Sequence, residues 1–327
     1  MYDFFYFCKK MMRKCLYLYF LAASIFFISC SKEKKSERAA EKMKEFVANI
    51  STYAKSKKSN FIIIPQNGPE LATVGLDATS ELDANYLQHI DAITVEELFY
   101  FNTYAPDNER IHLLDRLKEL KPIIVSEMVS KNSDVHHAYE LNAAHGFIPF
   151  VRDSANYYYD HIPDTIINEN NDDILSMNDV KNVLYFIGGA SVYQNKSDYL
   201  AAIANTNFDL VIIDLFFGND PLTPQDLEQI RHKKNGGKRL LIAYVSIGSA
   251  EKYRYYWKEN WRLHHPWFIK KPYPGYPDEF YVKYWDKDWQ NIIYGSPDSY
   301  IDKIISAGFD GAFLDNVEAY YYLYFDE

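Results

Sequence analysis

Eight short apolar runs, spread from Phe61 to Leu314, constrain the fold of this chain more than any other feature. Most are continuous β-branched or aromatic stretches in which polar residues do not alternate with apolar ones. Strands with this pattern are buried on both faces, as in a parallel sheet. The runs are Phe61–Pro65, Ala92–Leu98, Ile123–Ser126, Phe147–Val151, Val183–Ile187, Leu210–Leu215, Leu240–Val245 and Gly311–Leu314.

Segments with helical character lie before and between these runs. A first helix is predicted from Ala40 to about Lys55, where apolar residues recur at helical spacing. Further helices are predicted at Glu109–Leu120, Lys196–Ala204, Pro224–Lys233 and Asp298–Ala307. Eight strands alternating with helices predict an α/β fold, a single-domain (β/α)8 barrel. An open doubly wound sheet is the alternative, but the glycine-rich turn GxGxxG that marks such folds is absent.

The N-terminal segment has the layout of a secretory signal. Basic residues precede an apolar run from Leu16 to Ile28, and Ser29-Cys30 follows. The run is short for a membrane span, which needs about 20 apolar residues. We predict a bacterial lipoprotein signal over residues 1–29 and lipidation of Cys30, which makes the protein exported and membrane-anchored. An ordinary cleaved signal or an anchor helix is the alternative.

A charged segment follows the predicted anchor. Ser31 to Lys42 lacks large apolar side chains, so residues 30–42 are predicted to be the lipidated cysteine and a tether, and residues 43–327 the barrel domain. All three cysteines, Cys8, Cys15 and Cys30, precede this domain. The domain therefore has no disulfide, no thiol nucleophile and no cysteine-type zinc site.

The net charge of −10 disfavours some classes of partner. An acidic surface disfavours nucleic acid and anionic lipid, so membrane contact is expected only through the lipid anchor, and no protein partner is inferred. The adjacent pairs His136-His137 and His264-His265 do not have the spacing of metal ligands. No serine-hydrolase elbow or phosphate-binding loop occurs either, so neither a metal nor another cofactor is expected.

Polar residues end most of the apolar runs. In a (β/α)8 barrel the active residues lie at the C-terminal ends of the strands, which meet at one rim. An acidic rim with amides and aromatic residues suits a carbohydrate site, because two carboxylates can act as acid and nucleophile while other groups bind hydroxyls. The candidates are Gln66-Asn67, Glu96-Glu97, Glu127, Arg152-Asp153, Asp214, Tyr244 with Ser246, and Asp315-Asn316.

Several of these candidates have more than one interpretation. Side-chain alternation along a strand brings only one of Glu96 and Glu97 into the barrel mouth, and the sequence does not choose between them. Asp214 lies in an apolar run, where a charge needs a partner, so it either binds a ligand or pairs with a neighbouring group. Glu127 and Asp153 fit site lining or rim ion pairs equally well.

All five tryptophans lie between residues 257 and 289, in the long connection before the last strand. Many tyrosines join them, including Tyr253, Tyr255, Tyr256, Tyr273, Tyr276 and Tyr284. Aromatic faces stack well on sugar rings. Two or three residues of this aromatic cluster are therefore predicted to contact a ligand, with Trp285 as the named candidate, and the rest to pack a small core for the connection.

The residues also resemble a known family. The stretches NVLYFIGG, FDLVIIDLFF, LLIAYVSIGSAEKYRYYW, YVKYWDKDWQ and GFDGAFLDNVEAY, with FIIIPQNGPEL and ITVEELFY nearer the N-terminus, resemble the endo-α-1,4-polygalactosaminidase family, glycoside hydrolase family 114. In that family the FLDNVEAY-like strand is the fourth, whereas here it is the last. The order indicates a circular permutation, with the family's strands five to eight preceding strands one to four.

The resemblance implies a retaining TIM-barrel glycosidase acting on an α-linked galactosamine polysaccharide. It assigns Asp315 as the nucleophile and Glu96 as the acid/base, with Glu97 as a competitor, and it gives Asp214, Tyr244, Gln66 and Asn67 to sugar binding. The permutation also implies that the tether leaves beside the catalytic face. A non-catalytic glycan-binding surface lipoprotein and a glycosidase for a different sugar are the alternatives.

Overall fold

The computed structural model describes residues 31–325. All eight predicted strands are present within it, with five shorter or additional ones. The strands are β1 (Ile62–Pro65), β2 (Ile93–Tyr104), β3 (Ile123–Val129), β4 (Ile148–Asp153), β5 (Val183–Tyr185), β6 (Leu210–Asp214), β7 (Phe216–Phe217), β8 (Asp220–Pro221), β9 (Leu240–Ser246), β10 (Ser249–Glu251), β11 (Ile269–Tyr273), β12 (Tyr276–Val282) and β13 (Gly311–Asp315).

The helices agree with the sequence patterns where those patterns are strong. They are α1 (31–57), α2 (Ala84–Leu87), α3 (Asn108–Leu117), α4 (Asn132–His145), α5 (Lys196–Ala204), α6 (Pro224–Ile230), α7 (Lys287–Ile293), α8 (Tyr300–Ala307) and α9 (Ala319–Tyr322). The predictions did not include α4, because it buries only Ala138 and Asn142 and so has no apolar stripe for the sequence to show.

The eight predicted strands form two parallel sheets. One has the order β1-β13-β9-β6-β5 and the other the order β2-β3-β4. A parallel bridge between Gln66 and Thr94 joins β1 to β2. The Thr94 hydroxyl reinforces it by donating to the Pro65 carbonyl at 2.9 Å. Within residues 31–325 no hydrogen-bonded ladder joins β4 to β5, so hydrogen bonds do not close the ring of strands.

Side chains between the two sheets share one core. The ring of Tyr185 on β5 lies 5.3 Å from that of Phe150 on β4 and 5.7 Å from that of Phe313 on β13. These contacts join strands that are not neighbours in either sheet. The continuous apolar runs are therefore buried between the strands as well as under the helices, as their composition predicted.

The prediction of a tether over residues 30–42 was wrong for the described residues of that segment. Residues 31–42 are helical and form the first turns of α1, with Ser36, Ala39 and Ala40 buried. The Ser36 hydroxyl donates to the Tyr320 carbonyl at 3.1 Å, and the Tyr284 hydroxyl donates to the Ala39 carbonyl at 2.6 Å. Small side chains let the helix approach its neighbours closely, so burial here needs no large apolar group. The predicted signal and Cys30 lie outside the described residues.

Helix α1 runs antiparallel to β13. Near its C-terminal end, Lys58 donates to the Phe309 carbonyl at 2.8 Å, just before β13 begins. Near its N-terminal end, Ser36 contacts Tyr320 in α9, which follows β13. Helix α1 therefore starts at the end of the molecule where the parallel strands finish. No helix within residues 31–325 combines the length and apolar character that a membrane span requires.

Candidate active site

A cavity of about 910 Å³ opens at the C-terminal ends of the parallel strands. Seven of the eight side chains predicted to act on or bind a substrate line it. They are Asp315, Glu96, Glu97, Asp214, Tyr244, Gln66 and Asn67. These residues come from five different strands and the turns that follow them, so the convergence follows from the parallel arrangement, which brings all these strand ends to one face.

Asp315 is the last residue of β13 and its carboxylate is oriented by two donors. The Tyr244 hydroxyl donates to Oδ2 at 2.8 Å, and the backbone N–H of Asn316 donates to Oδ1 at 2.8 Å. Burial raises the pKa of Asp315 to about 7; the hydrogen bond from Tyr244 opposes this rise, and the charge of Glu96 adds to it. A carboxylate with fixed oxygens next to a second carboxylate is a suitable nucleophile or electrostatic stabiliser.

Both Glu96 and Glu97 line the cavity, because β2 is irregular at this point. Glu96 pairs with Ser126, and the next paired residue of β2 is Phe101, opposite Met128. The four residues from Glu97 to Tyr100 therefore face a single residue of β3, and Glu97 itself has a left-handed backbone with φ of 57°. The prediction that only one glutamate enters the mouth was wrong, because side-chain alternation holds only in a regular strand.

The two glutamates have different environments. Glu96 accepts a short hydrogen bond from the Tyr159 hydroxyl and lies 3.7 Å from the Arg152 guanidinium. Glu97 lies 3.5 Å from the same guanidinium, and burial together with the charge of Glu96 raises the pKa of Glu97 to about 7. Glu96 is therefore the one held by a neutral hydroxyl donor. Arg152 does not separate the two glutamates, because it lies within 4 Å of both.

Tyr159 is a site residue that the strand-end rule missed. It lies in the turn after β4, and its hydroxyl contacts both Glu96 and Ser126, with an oxygen–oxygen distance of 2.8 Å to Ser126. Its ring stacks on Tyr185 with ring centres 5.1 Å apart. The only sequence signal is the run of three tyrosines at 157–159, which is not specific enough to predict such a contact.

Asp214 is paired with a cation. Its two oxygens accept from one guanidinium nitrogen of Arg254 at 3.0 and 2.7 Å, and Arg254 also donates to Glu251 at 2.7 Å. Burial raises the pKa of Asp214, and the charge of Arg254 opposes that rise. Of the two interpretations of Asp214, the structure shows the ion pair, at a position that also forms part of the cavity wall.

Four further carboxylates that sequence reasoning did not select also line the cavity, and one of them is Asp278 on β12. Glu251 and Glu279 belong to the sheet β10-β12-β11, and Glu318 follows Asp315 by three residues. Burial raises the pKa of Glu279 to about 8 and that of Glu318 to about 8. Glu279 and Glu251 were missed because they lie in the long connection between β9 and β13 instead of directly after a strand of the parallel sheets.

These raised pKa values predict that the protein loses stability as pH rises. The carboxyl pKa values of Asp315, Glu97, Glu279 and Glu318 are about 7 to 8 in the folded chain, against 3.8 or 4.5 without burial. Between about pH 4 and 8 the folded state thus holds more protons than the unfolded state, and the free energy of unfolding falls with rising pH. We expect the Tm to be at least about 5 °C lower at about pH 8.5 than at about pH 5.5.

Differential scanning fluorimetry across this pH range measures the effect. Glu279→Gln removes one of the four groups and should flatten the profile, whereas the same change at the exposed Glu259 should leave the slope unchanged. A Tm that stays constant or rises across this window in the parent protein would contradict the assignment.

Of the aromatic cluster predicted to supply ligand contacts, Tyr253, Tyr273 and Tyr276 line the cavity, whereas none of the five tryptophans, all within the described residues, does so. The prediction for Trp285 was therefore wrong. Trp285 lies against α1, with the Lys42 ammonium 4.3 Å from its ring centre, and buried Trp289 donates its N–H to the Ile247 carbonyl at 2.8 Å. The connection that carries the tryptophans folds into β10–β12 and α7, so it needs a core of its own. The aromatic lining is mostly tyrosine: Tyr157, Tyr158, Tyr159, Tyr185, Tyr244, Tyr253, Tyr273 and Tyr276.

Three rim candidates, Ser246, Glu127 and Asp153, do not line the cavity. Ser246 is buried, and its hydroxyl lies 2.6 Å from that of Ser249. Glu127 is fully buried behind β2 and accepts hydrogen bonds from the backbone N–H groups of Phe99 and Tyr100. Asp153 accepts from the backbone N–H groups of Ala155 and Asn156 and caps the short turn that follows β4. Within residues 31–325 neither Glu127 nor Asp153 forms an ion pair or lines the cavity, so both alternatives considered for these residues were wrong.

Part of this chain is similar in sequence to proteins of other organisms. An uncharacterized protein of Methanocaldococcus jannaschii is 38% identical over 130 residues, which are 40% of this chain and 36% of that protein. Uncharacterized proteins of Thermotoga maritima and Deinococcus radiodurans are 32% identical over 131 residues and 38% identical over 121 residues. These two alignments cover 40% and 37% of this chain, and 39% and 37% of the relatives. The matched part of the chain thus spans less than two-fifths of each relative's length.

A family model matches the C-terminal part of the chain, which carries Asp214, Tyr244 and Asp315 but not Glu96. The parallel α/β architecture agrees with the TIM-barrel fold of that family. Residues 190–326 match the model of glycoside-hydrolase family GH114, and this match supports a glycoside hydrolase.

Proposed function

We propose that this protein is a retaining glycoside hydrolase that cleaves an α-linked, galactosamine-containing polysaccharide. The observation that carries the proposal is the placement of Asp315 and Glu96 in one cavity, close enough for the charge of Glu96 to raise the pKa of Asp315. Each carboxylate also accepts a hydrogen bond from a tyrosine hydroxyl, Tyr244 for Asp315 and Tyr159 for Glu96. Two oriented carboxylates at a sugar-sized cavity are the machinery that retaining hydrolysis needs.

In the first step, Asp315 attacks the anomeric carbon and forms a glycosyl ester. Glu96 gives its proton to the glycosidic oxygen as the bond to the leaving sugar breaks. In the second step, Glu96 takes a proton from water, which attacks the anomeric carbon and releases Asp315. Tyr244 and the Asn316 N–H hold the two Asp315 oxygens, so the nucleophile is oriented before the substrate arrives.

The lining of the cavity favours a cationic sugar. Its carboxylates are Glu96, Glu97, Asp214, Glu251, Asp278, Glu279, Asp315 and Glu318, and its cations are Arg152 and Arg254. Both arginines are already paired with carboxylates of the wall. A protonated amine brings the positive charge that the remaining carboxylates lack, and it would lower their raised pKa values.

Neutral groups of the cavity suit the hydroxyls and faces of a sugar. The buried Oε1 of Gln66 has no hydrogen-bond partner among the described residues, so it is available to accept from a sugar hydroxyl. Asn67 is engaged differently, because its Oδ1 accepts from the backbone N–H of Glu96 at 3.0 Å. Gln66 therefore acts as a binding group in this proposal, and Asn67 as a support for Glu96.

We further propose that the eight parallel strands form a circularly permuted barrel. Two observations support this. The confinement of the family match to residues 190–326 supports the permuted order, and the parallel pairing of the first strand with the last, from Ile62–Gly311 to Pro65–Leu314, supports the barrel. In a permuted chain the acid/base and the nucleophile come from opposite ends of the sequence, as Glu96 and Asp315 do.

Export and lipidation at Cys30 are part of the same proposal. Helix α1 starts beside α9, at the face where the cavity opens, which supports an anchor that emerges next to the catalytic face. The test is to express the full chain and its Cys30→Ala variant and to compare their membrane fractions and lipid labelling. Equal membrane retention and equal labelling would reject lipidation at this residue.

The decisive experiment is an assay of residues 31–327 on α-1,4-linked galactosamine oligomers and on their N-acetylated counterparts. Proton NMR of the first product should show the α-anomer before mutarotation. A β-anomer would reject the retaining mechanism. Binding without cleavage of either polymer would reject the hydrolase and favour a glycan-binding surface lipoprotein.

A further inference from the structure

In the irregular part of β2, backbone N–H groups donate to a side chain instead of to the carbonyls of the neighbouring strand. Between Glu96 and Phe101 the strand leaves the ladder to β3, so its backbone N–H groups lose the carbonyls that a regular parallel pair would offer. The N–H groups of Phe99 and Tyr100 instead reach the side chain of Glu127. Phe99 donates to Oε1 at 3.1 Å and to Oε2 at 3.2 Å, and Tyr100 donates to Oε2 at 3.0 Å.

The groups around the Glu127 side chain are arranged to donate hydrogen bonds to a carboxylate. Asn142 on α4 donates to Oε1 at 3.1 Å, and its amide is held in this orientation because it also donates to the Ala138 carbonyl at 2.9 Å. Glu127 is 0% exposed, and every group that hydrogen-bonds to it is a donor. Burial raises the pKa of Glu127, while the hydrogen bonds from Asn142, Tyr100 and Phe99 lower it. A neutral amide at this place would point an NH₂ group at one of those donors.

We propose that Glu127 is a positioning residue that acts through the backbone of β2, holding the bulge that brings both Glu96 and Glu97 into the cavity. A regular strand would send these two side chains to opposite faces, so the shared site depends on the irregular backbone. The role assigned to Glu96 rests on the proposed hydrolase function, whereas the effect of Glu127 on the geometry of β2 does not.

A second buried carboxylate supplies a matched control. Asp209, just before β6, is also 0% exposed and accepts from the ammonium of Lys233 at 2.9 Å and from the backbone N–H of Lys181 at 2.9 Å. It lies at the opposite ends of the strands from the cavity. Like Glu127→Gln, Asp209→Asn removes a buried carboxylate charge, here one that is paired with Lys233, so it reproduces a loss of stability without touching β2.

Crystal structures and amide hydrogen exchange of the two variants test the proposal without relying on turnover. In Glu127→Gln we expect the Glu96 carboxyl to move by about 1 Å or more and exchange over residues 97–104 to rise by at least about tenfold. Asp209→Asn should leave both unchanged. Unmoved Glu96 and Glu97 with unchanged exchange in Glu127→Gln would overturn the proposal.

A second variant keeps the test decisive if Glu127→Gln does not fold. Asn142→Ala removes one donor from Glu127 and leaves the two backbone contacts in place. It should raise exchange over the same segment of β2 by a smaller factor of about three, with no change around β6. Exchange that rises uniformly through the protein, with no excess in β2, would reject the proposal.

Kinetics separate positioning from stability. In Glu127→Gln we expect kcat to fall about 100-fold, because a displaced acid/base affects the chemical step, with a smaller rise in KM from the displaced Glu97. Adding Glu127→Gln to Glu96→Gln should lower kcat little further, since Glu127 affects the chemical step through Glu96. Fully additive losses would reject the positioning role. If the parent protein cleaves none of the glycans, the proposed function fails, while the structures and exchange still decide the role of Glu127.

Discussion

Replacing Asp315 with asparagine is expected to lower kcat on the polysaccharide by about four orders of magnitude or more, while the protein remains folded. The change removes the group that forms the glycosyl ester, and loss of a catalytic nucleophile typically has effects of this size. The variant should also be more stable than the parent near pH 8, because burial raises the pKa of Asp315 to about 7 and asparagine has no charge to desolvate. Steady-state assays and thermal melts at the same pH measure both effects.

Asp288→Asn is the matched control for this prediction. Asp288 lies exposed in the first turn of α7, away from the cavity, so the same chemical change there should leave kcat within about twofold. Azide provides a sharper test with Asp315→Ala and an aryl α-glycoside. Azide that fills the space of the missing nucleophile should give a β-glycosyl azide. An α-glycosyl azide, or activity near that of the parent protein, would show that another residue is the nucleophile.

The second large effect is expected from Glu96→Gln, which should reduce kcat on the polymer by about 10²- to 10⁴-fold. Much of this loss should disappear with a substrate whose leaving group needs no proton, such as a dinitrophenyl glycoside, because the first step then proceeds without the acid. The second step still lacks its base, so the glycosyl–enzyme ester should accumulate. Intact-protein mass spectrometry would detect it as a defined mass increase.

Glu97→Gln is the natural comparison, because the two glutamates are adjacent and share Arg152. We expect Glu97→Gln to raise KM more than it lowers kcat. Azide added to Glu96→Ala should give an α-glycosyl azide, the opposite anomer from that expected with Asp315→Ala. If Glu97→Ala gives that product and Glu96→Ala does not, the acid/base is Glu97.

The positions of the parallel strands, and the end of the strands at which the site lies, could be predicted from the sequence. Continuous apolar runs predict strands buried on both faces, and parallel strands place their C-terminal ends together. These two local rules were sufficient to put Asp315, the pair Glu96-Glu97, Asp214 and Tyr244 among the candidates, all of which line the cavity. The first helix was likewise predicted from its apolar periodicity, although not its N-terminal turns.

The conformation of β2 could not be predicted from the sequence in this way. Its bulge depends on Glu127 from the next strand and on Asn142 from a helix with no apolar stripe. Local alternation therefore gave the wrong expectation for Glu96 and Glu97, because it assumes a regular ladder. Tyr159 reaches Glu96 from a turn 63 residues later in the chain, and no pattern within that turn indicates the contact.

The sequence by itself thus determined which segments become the parallel strands, on which face their polar ends meet, and which carboxylates end those strands. Only the tertiary structure decided how those carboxylates are oriented, that the tryptophans pack away from the cavity, and that residues 31–42 dock as a helix. The physical reason is the separation along the chain over which each effect acts. Burial and periodicity act between near neighbours in the chain, whereas contacts such as Ser36 with Tyr320, 284 residues apart, exist only once the strands have assembled.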